Sequence, residues 1–382
     1  MKRGAKLLVL LAVFALIVAA CSSDDTTDTT SASGDTTTTT AEDMSGDIVV
    51  GMSWNNYNEE RWAKADEPAM KAAIEANGGT YISTDAGSSA EQQIADVENL
   101  ISQGADVIII LAQDTEAIVP AVQNATSQGI PVIAYDRLIE DDSAFYLTFD
   151  NVEVGRAEAR VIFELVPTGT YAIIKGNSAD ANADFLRQGY EDVIGEAVAA
   201  GDITICCETY TDNWDGALAQ QEMEQFLTQE NNEIDAVLSE NDGMATGVVA
   251  ALEAQGLAGT IPVSGQDGDA AALNRVALGT QAVSVWKNAF ELGKAAGTIA
   301  VQLANGTALD AVTAPTDMGV TAPAAGLNAM VFTTPGGLDV WSIILTPMPI
   351  TQDNLNVVVD SGWISQEQVC QNVAAGTVDV CG

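Results

Sequence analysis

The sequence predicts an α/β fold of two doubly wound parallel-sheet lobes joined by a three-strand hinge, and three observations predict it. Short, β-branched apolar runs alternate with amphipathic segments from Asp47 onwards, the pattern of strands linked by crossover helices in a parallel sheet. Several of those runs lack polar alternation, as strands buried on both faces do. The folded part is about 335 residues long, a length that divides into two cores.

The N-terminus stands apart from this pattern. Lys2, Arg3 and Lys6 precede an apolar run over 7–20. At about 14 residues the run is short of the roughly 20 that span a bilayer, so 1–20 is expected to be a secretory signal. The small residues Val18, Ala19 and Ala20 before Cys21 resemble a bacterial lipobox, which makes Cys21 the expected lipid-attachment residue. Residues 21–47 are almost entirely Ser, Thr, Asp, Gly and Ala, too poor in large apolar groups to offset the entropy of ordering. They are expected to be a disordered tether.

Strand-like runs then fall at 48–52, 106–111, 131–135, 170–174, 234–238, 261–264 and 282–286. The clearest helix covers roughly 88–103. There Ser88 and Glu91 fit a capping box, Ile94, Val97, Leu100 and Ile101 form one apolar stripe, and Gly104 fits the stop. Pro68 and Pro120 are expected in first turns, where a missing N–H is harmless. The phrase FYLTFDN at 145–151 closes one βα series before a second begins at Val152. A helix over 288–304 and the irregular stretch to about 340 return to the first lobe, and a strand over 341–349 crosses back. The expected lobes are therefore 48–150 with 288–345, and 151–287 with 346–382.

Composition excludes several functions. The formal charge is −40, with 14 Lys and Arg against 54 Asp and Glu, and three of those cations lie in the leader. Such a surface repels nucleic acid and anionic lipid. Histidine is absent, which removes the commonest general base and metal ligand. No Gly-rich phosphate loop, nucleophile elbow or zinc-type His motif occurs. Asp180, Asn182, Asp184 and Glu191 match part of an EF-hand spacing, but Phe185 stands where the loop needs Gly. No metal, cofactor or catalytic residue is expected. Cys370 with Cys381, and Cys206 with Cys207, are the expected disulfides.

In open α/β sheets ligands sit beyond the carboxyl ends of strands. The residues after each run there are rich in polar groups: Asp136 and Arg137, Asp180 and Asn182, Trp214, Asn241, Asp267 and Lys287, with Arg61 and Trp62 soon after the first strand. Each hydroxyl of a sugar both donates and accepts, so carboxylates, guanidinium, ammonium and amide groups all suit it. Trp62 and Trp214 fit the apolar C–H faces of a pyranose. Asp136, Asp180 and Asp267 balance Arg61, Arg137 and Lys287 in number, which favours a neutral ligand because buried ions need partners. Taken singly, each residue also fits a loop cap or a surface ion.

The stretches GMSWNNYNEERW from Gly51, QGADVIIILA from Gln103, GIPVIAYDRLI from Gly129, FYLTFDNVEVG from Phe145, NNEIDAVLSENDG from Asn231 and the long run from Ala254 to Lys287 resemble the periplasmic xylose-binding proteins of the ribose/xylose class of ABC importers. The resemblance covers nearly everything from Ile48 to Gly362 and implies the type I periplasmic binding protein fold. It implies a protein that closes two lobes on a sugar and presents the closed form to a permease with ATPase subunits. Sugar contacts are implied for the ten strand-end residues named above. Trp54, Asn55, Asn56 and Glu240 depart from the pattern. The expectation is a monomeric, non-enzymatic, lipid-anchored extracytoplasmic protein for D-xylose, with glucose or another aldose, or a sugar sensor, as the alternative.

Overall fold

The computed structural model describes residues 48–382; the leader, Cys21 and the tether lie outside them. Twelve strands and eleven α-helices follow in chain order among the described residues. The first series is β1 (Val49–Trp54), α1 (Glu67–Ala76), β2 (Thr80–Asp85), α2 (Ala90–Ser102), β3 (Val107–Ile110), α3 (Val119–Ser127), β4 (Val132–Tyr135) and β5 (Ala144–Phe149). The second is α4 (Asn151–Leu165), β6 (Gly169–Lys175), α5 (Ala181–Ala200), β7 (Ile203–Tyr210), α6 (Gly216–Gln229), β8 (Ala236–Ser239), α7 (Asp242–Ala254), α8 (Ala270–Leu278) and β9 (Ser284–Trp286). The chain ends with α9 (Ala289–Ala304), β10 (Met330–Thr333), β11 (Asp339–Leu345), β12 (Met348–Ile350), α10 (Asn356–Asp360) and α11 (Gln366–Val369).

One sheet has seven strands in the order β10-β11-β5-β4-β3-β1-β2, parallel except for β10 against β11. The second is the parallel trio β7-β6-β8, and β9 pairs with β12 in an antiparallel pair beside it. Strands such as VIII in β3 are wholly buried, because helices cover both faces. One core packs α1 and α9 against the large sheet, with Met52, Met70, Ile109, Leu292 and Ile299 at its heart. On the second sheet, Ile174, Met223, Val237 and Val248 anchor the face covered by α6 and α7. The chain passes between the two sheets three times: from β5 to α4, from β9 to α9, and from β11 to β12.

Pro68 and Pro120 both fall in first turns. The predicted cap of α2 moves by one residue: Ser89, not Ser88, accepts from Gln92 N, and Ser88 takes a positive φ of 67° in the turn before it. The 261–264 run forms only isolated bridges, through Ile261 and Val263; Pro262 has no N–H for a ladder. The 341–349 segment divides at its middle, its first part joining the large sheet beside β5 and its second pairing with β9.

Cys370 and Cys381 are bridged, with Cα atoms 5.5 Å apart. Cys206 and Cys207 are both free thiols, which corrects the second expected disulfide. Adjacent Cα atoms stand about 3.8 Å apart, closer than the roughly 4.4–6.8 Å an unstrained bridge spans. Among the described residues no helix is long and apolar enough to cross a membrane.

Candidate functional site

A cavity with about 250 Å³ of empty space opens where the carboxyl ends of the two sheets face each other. Of the ten predicted residues, nine line it: Trp62, Asp136, Arg137, Asp180, Asn182, Trp214, Asn241, Asp267 and Lys287, joined by Glu59 and Gln266. The tenth, Arg61, lies immediately behind, held by three carboxylates. Its Nε and Nη2 grip both oxygens of Asp66 at 3.0 and 2.9 Å, Nη2 also stands 3.1 Å from Asp136 Oδ2, and Nη1 reaches Asp267 Oδ1 at 3.2 Å. The guanidinium also covers the Trp62 ring at 4.4 Å.

The second basic centre is Arg137, with Nε 2.8 Å from Asp180 Oδ2, Nη2 3.4 Å from Glu59 and Nη1 on the Ala112 carbonyl. Lys287 is the third, 3.5 Å from Asp136 Oδ2 and bonded to Asn151 Oδ1 at 3.3 Å. Asn151 passes the contact on by donating to Asn182 Oδ1 at 2.9 Å. All three cations are at least 97% buried, a position that only paired charges tolerate.

Local conformation aims these groups. Asp180 caps α5 with Oδ1, accepting from Asn182 N, which leaves Oδ2 for Arg137 and the Trp214 indole N–H. Asn241 caps α7 through Oδ1, so its amide N–H groups remain for the cavity. Asp136, Trp214 and Asp267 take positive φ of 60°, 56° and 101°, a region that non-glycine residues seldom occupy and that gathers at functional sites. Trp214 is seated on Gly176, where an added Cβ would come within 2.1 Å of the indole.

Burial and charge act in opposite directions on the carboxylates. Burial pushes Asp66 up to about 6 despite Arg61, and it raises Glu59 and Asp180 despite Arg137. Burial also opposes ionisation of Asp136, but Lys287, Arg61 and Arg137 together outweigh it and hold the group below its ordinary value. The three-to-three charge balance read from the sequence is thus incomplete: Asp66 and Glu59 add two carboxyl groups, both displaced toward the neutral form.

In the cavity wall Gln266 Oε1 remains without a hydrogen-bond partner, while Asp136 Oδ2 is held by its ion pairs to Arg61 and Lys287. A buried acceptor without a donor is costly, so the wall is complementary to a ligand that brings hydroxyl or amine donors. A wider depression with about 1350 Å³ of empty space, lined by Leu165, Pro262 and Thr351 among others, lies on the second sheet's side and gathers no basic residue.

Sequence reading missed Glu59, Asp66, Asn151 and Gln266. Gln266 and Asn151 each adjoin a strand end, the signal that found their neighbours, whereas Glu59 and Asp66 flank Arg61 on a loop and a π-helical turn (Trp62–Asp66). The divergent positions do not line the cavity. Trp54 packs behind Trp62 and bonds Tyr81, Asn56 bonds Ser88, Asn55 bonds Gln113, and Glu240 accepts from Gly176 N. Asp180 and Asn182, bound into the ion network and the start of a helix rather than a loop, are not part of an EF-hand.

Two sheets whose carboxyl ends enclose a small polar cavity, with the chain crossing three times between them, define a two-lobed solute-binding protein. The family model of the periplasmic binding protein domain matches residues 50–308, and the chain belongs to that family, whose members bind solutes and are not enzymes. It is 35% identical over 326 residues to the D-xylose-binding periplasmic protein of Escherichia coli (strain K12), covering 85% of this chain and 93% of that one. Identity to the D-xylose-binding periplasmic protein of Haemophilus influenzae is 33% over 327 residues, with the same coverage of 85% and 93%. Among solved structures, an ABC transporter solute-binding protein from Clostridium phytofermentans with bound β-D-glucose superposes with a TM-score of 0.72 at 25% identity, covering 84% of this chain and 99% of that one.

Proposed function

We propose that this protein is an extracytoplasmic binding protein that captures a monosaccharide, D-xylose first among them, and delivers it to an ABC import permease with its ATPase subunits. The observation that carries the reading is the wall itself. Donors on Arg137, Lys287, Asn182 and Asn241 share the lining with acceptors on Asp136, Asp180, Asp267 and Gln266 and with the indoles of Trp62 and Trp214, and Arg61 stands immediately behind them. A ring of hydroxyls with apolar faces satisfies both sets at once. The ten residues expected from sequence are proposed as the sugar contacts, with Gln266 and Glu59 added. The two D-xylose-binding relatives favour a pentose; the glucose-bound neighbour makes glucose the second reading. Attachment through a lipid on Cys21, a tether over 21–47 and a monomeric state complete the proposal.

Calorimetric titration with xylose, glucose, ribose, arabinose and galactose tests it. One-to-one binding strongest for xylose supports the assignment. A clear preference for glucose moves the ligand but keeps the class, and silence with all five in a folded sample overturns the sugar reading.

A further inference from the structure

Strand β7 carries a second cluster that the cleft does not use. Tyr171 pairs with Ile205 and Ala172 with Cys207, so Cys206 is an extra residue in β7. Neighbouring side chains in a regular strand point to opposite faces, and a bulge breaks that alternation. Here both cysteines join the same packing cluster, beside Phe226 and Leu227 of α6. Their Sγ atoms and a carboxylate oxygen of Glu230, the residue that ends α6, all lie within 4.8 Å of one another. Cys207 is buried, and the other two are half-buried, which leaves a path from solvent.

We propose that Cys206, Cys207 and Glu230 form a binding site for one thiophilic divalent cation of the zinc type, tying the edge strand β7 to the end of α6. Two thiolates and a carboxylate suit such an ion, and sulfurs bound at ~2.3 Å in a tetrahedron stand ~3.8 Å apart, inside the 4.8 Å within which the three ligand atoms here fall. Binding forms two metal–sulfur bonds and one metal–oxygen bond, and releases two thiol protons to solvent; water takes the fourth position. Burial, the adjoining thiol and the Glu230 charge hold the Cys206 thiol well above its ordinary value, and burial with Glu230 raises Cys207. Without metal the pair is therefore protonated and a poor nucleophile. None of the three residues lines the sugar cavity, so the site is independent of the ligand reading.

The test is titration of the full chain, purified without reductant, with Cd²⁺ as a spectroscopic probe and Zn²⁺ as competitor. The expected result is one ion per chain with thiolate-to-metal charge-transfer absorption, displaced by Zn²⁺. Cys206→Ser or Cys207→Ser should weaken binding at least about 100-fold, since even outer-shell changes at metal sites cost roughly 10–100-fold; Glu230→Gln should weaken it at least about 10-fold. In the unsubstituted chain, Zn²⁺ should shield Cys206 and Cys207 from alkylation, read by peptide mapping that separates them from Cys21. No charge-transfer band, alkylation unaffected by Zn²⁺, or binding undiminished by the cysteine substitutions would overturn the site.

Discussion

The two walls of the cleft are built differently. On the side of the large sheet, Arg61, Asp66 and Tyr135 form one network, in which Asp66 accepts from Arg61 twice and from the Tyr135 hydroxyl. On the other side, Asp180 and Asn241 are held as helix caps, and Trp214 and Asp267 as residues of strained backbone. The acids of that wall, Asp180 and Asp267, find their cations across the cleft in Arg137 and Arg61. The first wall therefore supplies the two guanidinium groups that answer these acids, and the second supplies polar groups placed by backbone geometry. The prediction is that changes to the first wall act on folding as well as on binding, and changes to the second mainly on binding.

The largest effect is expected at Arg61. Arg61→Ala leaves Asp66, Asp136 and Asp267 without their principal partner, and removing one member of a buried ion network typically costs about 3–5 kcal/mol. Urea unfolding at neutral pH should show that loss. A change below about 1 kcal/mol, the value of an exposed pair, would mean that the first wall is not a structural network.

Asp66 makes the same wall pH-sensitive. Its folded value of about 6 lies above its ordinary 3.8, so between those limits the native state holds a proton that the unfolded chain has released. Stability from this group is complete below about pH 3.8 and is lost as pH rises through 6, by up to roughly 3 kcal/mol at 1.36 kcal/mol per pH unit. Asp66→Asn should flatten that part of the profile, so the stability difference between variant and unsubstituted chain should change across pH 4–6. Parallel profiles would show that Asp66 ionises in the folded state as it does in the unfolded one.

How far the sequence foretold each wall follows from what kind of signal each residue gives. Wholly apolar strands such as β3 and β4 were legible because burial on both faces leaves no polar residue in the run. The half-exposed edge β2, TYISTD, and the exposed β10, MVFT, were missed because their burial is set by what they lie beside. Strand-end position found Asp136, Asp180 and Asp267. It could not find Asp66, whose contact with Arg61 depends on the π-helical turn between them. The bulge that places both cysteines of β7 near Glu230 was equally hidden: an inserted residue leaves no trace in a short apolar run, and Glu230 lies on another element.

The second wall is tested at Asp267. Asp267→Ala removes a charged acceptor and leaves Arg61 Nη1 without it, which should weaken sugar binding by roughly 1.5–3 kcal/mol. Calorimetry on the variant and a parallel urea titration separate affinity from folding. A stability loss as large as that of Arg61→Ala would erase the distinction between the walls.

The smallest effect is expected from Trp214, where binding depends on a face rather than a charge. Trp214→Ala removes the indole that lies over Gly176 and donates to Asp180, and should weaken sugar binding by about 1 kcal/mol or more through lost packing. Gly176→Ala offers the complementary test. It keeps the indole but drives a Cβ to within 2.1 Å of it, so the ring must shift and the Asp180 contact with it. If the indole forms the floor of the site, both variants lose affinity, whereas a Gly176→Ala protein that binds sugar normally would show that Trp214 is packing material and that specificity lies with the charged groups alone.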